Sequence, residues 1–182
     1  MPRLPNLTNR EDVPEDRLEA FDAIAGQRQG AVSGPYGVLL HSPELAIRSA
    51  ALSNYLRWNS ALTQVQLETA VIVTARHLRA HVMWSAHVRL GRQAGVREAV
   101  VDSVKALDDM SDLTSEEAEV VRFVRELLEV NRVSDETFVA LRDRLGDRGI
   151  VDLTGLVGYY QFVGATLNAF EIEPGEGAEP LP

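Results

Sequence analysis

An all-α fold is predicted by three observations. The alternating apolar and polar runs that mark strands are almost absent. Helix-start punctuation recurs instead: "HSPELA", "LTQVQLE", "LTSEEAE" and "VSDETF" each put Ser or Thr near an acid or Gln ahead of a periodic run. The longest apolar stretch, "LTGLVGYYQFVGATL", has Thr and Gln inside it and falls short of the ~20 residues a bilayer span needs, so it reads as a buried helix.

In chain order, "MPRLPNLTNREDVPEDRLEAF" lacks the apolar segment of a signal peptide, from which cytoplasmic residence follows by default, and it carries a first short helix near 14–26. Gly26, Gly30, Gly34, Pro35 and Gly37 then forbid a continuous helix, which makes 21–42 the main irregular stretch. It is expected to lie as an ordered loop over the domain, because Tyr36, Val38, Leu39 and Leu40 give it apolar surface to bury. Helices follow at about 43–58, 63–78, 81–94, 96–107, 114–131, 134–145 and 148–170. In the last, Leu153, Val157, Tyr160 and Leu167 form one stripe beside Gly155, Gly158 and Gly164. Glycine costs roughly 1 kcal/mol in a helix interior, so close packing of another helix is expected there. The tail from Glu171, "EIEPGEGAEPLP", has the composition of an extended or frayed end. With 182 residues, 45% apolar and 25% charged, one domain over 1–182 with its core at about 35–170 is sufficient.

Composition removes several function classes. The balance of 27 acidic against 18 basic residues, a net charge of -9, repels phosphate backbones and anionic lipid, so neither nucleic acid nor a membrane is an expected partner. The chain has no cysteine, which excludes disulfides, thiolate metal sites, iron–sulfur clusters and thiol catalysis within it. There is no phosphate loop, dinucleotide fingerprint or nucleophile elbow, and Ser85, two residues before His87, points elsewhere on a helix. Acid–base chemistry remains.

That chemistry concentrates in "ETAVIVTARHLRAHVMWSAH". The helical neighbours of Glu68 are Gln64, Val65, Val71 and Ile72, so its carboxyl is partly desolvated. Two readings follow: a group suited to proton transfer, or an acid that pairs with an arginine such as Arg57 or Arg76 to join two helices. His87 sits on a similar apolar stripe, as either a satisfied core histidine or a proton carrier. A break near 79–81 would fold one helix back on the other and let the two side chains meet. His77 and His81, spaced i, i+4, could share a metal on a continuous helix, but no acidic residue lies between Thr69 and Arg97, and no metal is expected.

At these residues the chain resembles the carboxymuconolactone decarboxylase family, within the alkylhydroperoxidase D-like group of all-α proteins. The resemblance is carried by Glu68, by His87 nineteen residues on and by "RLGRQAGV", and it extends through "GPYGVLLHSPELA" and "LVGYYQFVGATLNAF" over most of the chain. Peroxidase-type members have cysteines twelve and fifteen residues after the Glu; here those positions are Ala80 and Met83, which points to the cysteine-free branch and rules out peroxidase activity through the usual pair. The resemblance implies a cofactor-independent lyase or isomerase, carboxy-lyase-like, acting on a small anionic cyclic metabolite. It maps His87 onto the proton-transfer histidine and Glu68 onto its acidic partner, with Trp84 walling the pocket. By position, Arg76 and His77 at the end of the first helix are expected to face the substrate and Tyr36 to close over it, while His81 and Met83 replace groups that help catalysis in relatives. A homo-oligomer, trimer or hexamer, is implied as well, for which "VVRFVRELLEV" and "LVGYYQFVGATL" offer apolar surface that could equally be core. The alternative is a non-catalytic binding or assembly protein on the same scaffold.

Overall fold

Every residue from Gln66 to Ala75 is buried, so the helix that carries them has no solvent face and the other helices must surround it. This helix, α4 (Gln64–His77), is the axis of the computed structural model, which describes residues 2–28 and 30–181. Around it come α1 (Leu18–Gln27), α2 (Tyr36–Leu39), α3 (Pro43–Trp58), α5 (His81–Ala94), α6 (Glu98–Ala106), α7 (Ser115–Val130) and α8 (Asp135–Ala169). Two single 3-10 turns, Arg10–Asp12 and Glu15–Arg17, precede α1, and no strand occurs among the described residues. The helix expected at 14–26 is thus a turn followed by α1, and the irregular stretch is narrower than 21–42.

The four punctuation motifs each mark a helix start, by two different means. Thr63 and Thr114 form reciprocal capping boxes with Gln66 and Glu117, and the Ser134 hydroxyl accepts the Thr137 amide. Ser42 makes no such bond; Pro43 at the first position starts α3 through its preset φ. Inside α8, Gly146 adopts φ 71°, ψ 173°, a conformation essentially reserved for glycine, and kinks the helix between the two segments that the sequence separates.

Two apolar clusters result. The larger joins α4 to α5, α6, α7 and α8 around Trp84, Phe123, Leu141 and Leu153. The smaller joins the N-terminal arm, α1, α2 and one side of α3 around Phe21, Ile24, Tyr36 and Leu40, and Phe162 touches both. Tyr36, Val38, Leu39 and Leu40 are all buried, as the loop's apolar content requires. Both segments that could have been interfaces bury their large apolar residues in or against the larger cluster, apart from the exposed Val130.

The glycines of α8 divide. A Cβ on Gly164 would stand 2.6 Å from Leu78 Cδ1, so the turn between α4 and α5 seats against it. Nothing lies within 4 Å of a Cβ on Gly158, and close packing does not explain that residue. The C-terminal tail is extended but docked rather than frayed, because its few anchoring groups all find partners. Glu179 pairs with Arg92 and Lys105, its amide donates to Ser85 Oγ, and Leu181 is buried in the larger cluster. No helix among the described residues is long and apolar enough to cross a membrane.

Candidate functional site

The turn after α4 creates the site. α4 stops at His77, Arg79 takes a left-handed φ of 52°, and the Ala80 amide donates to Ala75 O at 3.0 Å, so α5 starts at His81 and runs back along α4. Glu68 and His87 then face one another across the helix pair. His87 Nδ1 lies 2.7 Å from Glu68 Oε2, and the carboxylate accepts its proton. The second oxygen, Oε1, accepts from Arg57 Nη2 at 2.9 Å, and Arg57 Nη1 donates to the Tyr160 hydroxyl at 2.9 Å. The pairing of Glu68 with Arg57 and its contact with His87 therefore coexist.

Electrostatics favour an ionised Glu68. Burial alone would push its carboxyl up, but the hydrogen bonds and charges of His87 and Arg57 outweigh burial and hold it below its ordinary value. Burial pulls the Arg57 guanidinium down, and Tyr160 and Glu68 more than offset this. Burial pushes the Tyr160 phenol up to about 12, against the pull of Arg57, so it stays a neutral hydroxyl. With Nδ1–H committed to Glu68, the His87 Nε2 is the nitrogen left to exchange a proton with a ligand.

His87 lines a cavity of about 410 Å³ at the seam between the two apolar clusters. Tyr36 enters from the loop side, Ser53 and Arg57 from α3, Met83 and Ala86 from α5, and Tyr159, Tyr160 and Val163 from α8. The Tyr36 and Tyr159 hydroxyls are 2.8 Å apart, and the rings of His87 and Tyr160 meet edge to face at 5.0 Å. Burial first, and then the Tyr36 contact, raise the Tyr159 phenol well above the usual range, so it stays a neutral hydroxyl.

Of the residues picked out in the sequence, His87, Tyr36 and Met83 line this cavity and Glu68 stands behind His87, while Trp84, Arg76, His77 and His81 do not line it. Helix geometry gives the reasons. Trp84 lies about 60° further round α5 than His87, on the side that packs on α4, and is fully buried in the larger cluster. Arg76 is two turns beyond Glu68, roughly 12 Å along α4, where its Nε donates to Lys105 O. It shares a separate small recess with His77. His81 lies about 120° round α5 from His87 and lines another recess beside Asn168 and Glu171. Because α4 ends at His77, His77 and His81 share no helix, and no group of three potential metal ligands occurs among the described residues. Ser85 is occupied by the tail amide of Glu179.

The cavity also contains residues not singled out as site residues: Arg28, Arg57, Arg89, Tyr159 and Tyr160. The Tyr–Tyr pair stood on an apolar helix stripe and Arg57 was a candidate partner of Glu68, but Arg28, in a glycine-bounded loop, carried no pattern.

Comparison with known proteins supports this architecture. No family model and no curated protein matches the chain. Among solved structures, it resembles an uncharacterized peroxidase-related protein from Silicibacter at TM-score 0.72 and 17% identity, over 97% of this chain and 95% of that one. It resembles equally, at TM-score 0.72 and 12% identity over the same shares, a cysteine-to-alanine variant of the debrominase Bmp8 in complex with 2,3,4-tribromopyrrole. A protein of unknown function from Agrobacterium tumefaciens, suggested to be the antioxidant defence protein AhpD, aligns at TM-score 0.68 and 18% identity, over 76% of this chain and 95% of that one. The fold is the alkylhydroperoxidase D-like one.

Proposed function

We propose that this alkylhydroperoxidase D-like scaffold, in a cysteine-free form, carries a cofactor-independent lyase or isomerase that moves a proton on a small cyclic acid. The observation that carries this reading is His87 on the wall of a cavity large enough for a small metabolite, with Glu68 behind it at 2.7 Å. Nothing in the chain can perform the thiol chemistry of peroxidase-type relatives, since Ala80 and Met83 stand at the cysteine positions.

His87 acts through Nε2. Glu68 fixes the tautomer and orientation of the imidazole, and the hydrogen bonds of His87 and Arg57 hold Glu68 ionised. For a decarboxylation, the bond from ring carbon to carboxylate breaks and its electron pair enters an adjacent unsaturated carbonyl. The imidazolium then returns a proton to carbon, so an acid anion plus a proton becomes a neutral ring plus CO2. For an isomerisation, the same nitrogen removes a proton from one carbon and returns it at another. In either case the developing enolate needs a hydrogen-bond donor, and the Tyr36–Tyr159 hydroxyl pair, whose mutual hydrogen bond leaves one O–H free, is at hand.

The test is turnover of a panel of lactone carboxylic acids, carboxymuconolactone among them, by wild type and by His87→Gln. The variant should keep its circular dichroism and melting profile and lose roughly 10²- to 10⁴-fold in rate. A non-catalytic assembly protein would instead turn over nothing and tolerate apolar replacement of both Glu68 and His87 with equal or higher stability.

A further inference from the structure

The walls of the cavity beside His87 carry Arg28, Arg57 and Arg89 and no aspartate or glutamate. This reverses the balance of the whole chain, where 27 acidic residues face 18 basic ones. Arg57 is already neutralised by Glu68. Arg28 makes no ion pair among the described residues; its guanidinium carbon lies 4.5 Å over the Tyr36 ring, and its Nε is buried without a hydrogen-bond partner. An adjoining groove lined by Gln27, Asn54 and Trp58 shares Arg28, Ser53, Arg57 and Leu90 with the cavity and also lacks a carboxylate, so Arg28 stands where the two meet.

A guanidinium binds a carboxylate best through two parallel N–H donors, and an Nε–H with its neighbouring Nη–H is one such fork. Here Tyr36 holds the guanidinium plane from one face and leaves that edge unmatched. A neutral ligand would leave the buried donor unanswered; a carboxylate would satisfy it and enter a positively charged mouth. We infer that Arg28 is the specificity-determining residue of this cavity, accepting the carboxylate of a small ring acid at the mouth while the ring extends toward His87. The inference takes its site from the proton-transfer reading, but its test reads binding and not turnover.

The probes are benzoate and its neutral isostere benzamide, titrated by calorimetry and by the emission of Trp58, which is 63% exposed on the groove while Trp84 is fully buried. Wild type is expected to bind benzoate at least about tenfold more tightly than benzamide, and Arg28→Gln to weaken benzoate roughly ten- to hundredfold while leaving benzamide unchanged. Arg28→Lys keeps the charge, loses the fork and should fall between the two; it also serves if Arg28→Gln does not fold. Arg76→Gln removes an equal charge outside the cavity and should keep benzoate within about twofold. Equal binding of the two probes, no benzoate binding at roughly 10 mM, or equal losses in Arg28→Gln and Arg76→Gln would each overturn the inference. His87→Gln without turnover but with benzoate binding intact separates loss of the chemistry from loss of recognition.

Discussion

Glu68 answers two donors at once, and this sets what its replacement does. Glu68→Ala leaves the Arg57 guanidinium without its carboxylate in a part-buried place and should cost about 3–5 kcal/mol in urea unfolding. Because the folded carboxyl lies below its ordinary value, its contribution is present above the unfolded pKa of about 4.3 and disappears as pH falls through the folded one. The stability gap between wild type and Glu68→Gln should therefore shrink as pH falls below about 4.3, and a gap that stays constant would show that the charge is not the source. At this scale the sequence was informative where the chemistry is local. A desolvated Glu, a desolvated His and an expected break near 79–81 let the two meet, and the family resemblance named them as partners, which the 2.7 Å contact matches. It was uninformative for Arg28 and Tyr159, which reach the cavity from segments far apart in the chain, and the family resemblance was misleading for Trp84, which it set on the pocket wall and which the helix turns onto α4.

Caps and breakers are short-range features, which is why helix boundaries could be read closely while the route of the tail could not. Leu181 and Glu179 are held by residues on α5 and α6 and in the core, partners that no local pattern announces. Gly146 isolates a purely conformational cost, since a Cβ there meets nothing within 4 Å yet φ is 71°. Gly146→Ala is expected to destabilise by roughly 1–3 kcal/mol in a thermal melt without altering the cavity. At the start of α7, Arg97 first, and then Thr114, hold the Glu117 carboxyl at about 2 against the opposing effect of burial. Its stabilising effect is complete above the ordinary value and is lost as pH falls toward about 2. Glu117→Gln keeps a capping-box acceptor and removes the charge, so it should lower stability at neutral pH and flatten the acid limb of the profile, the two proteins converging as pH falls toward about 2.

The whole molecule is two apolar clusters with the cavity at their seam, and this arrangement explains why a buried Glu–Arg–His set can also be reached by a ligand. The outer surfaces of α3 and α8 leave Leu52 47%, Trp58 63% and Val151 68% exposed, whereas the two segments read as either interface or core are core apart from the exposed Val130. If copies of the chain associate, as the family resemblance implies, this face is where they are expected to meet. Light scattering should then report a multiple of 20.0 kDa that falls toward one chain in Leu52→Glu with Val151→Glu.

The central claim, proton transfer by His87 on a small ring acid, is tested most directly by incubating a metabolite extract in deuterium oxide with wild type and with His87→Gln and comparing the two by untargeted mass spectrometry. Wild type is predicted to deplete one small organic acid and to form a product, isomeric with it or lighter by CO2, that carries one deuterium on carbon; His87→Gln should leave that acid untouched. Identical profiles from both proteins would contradict the claim.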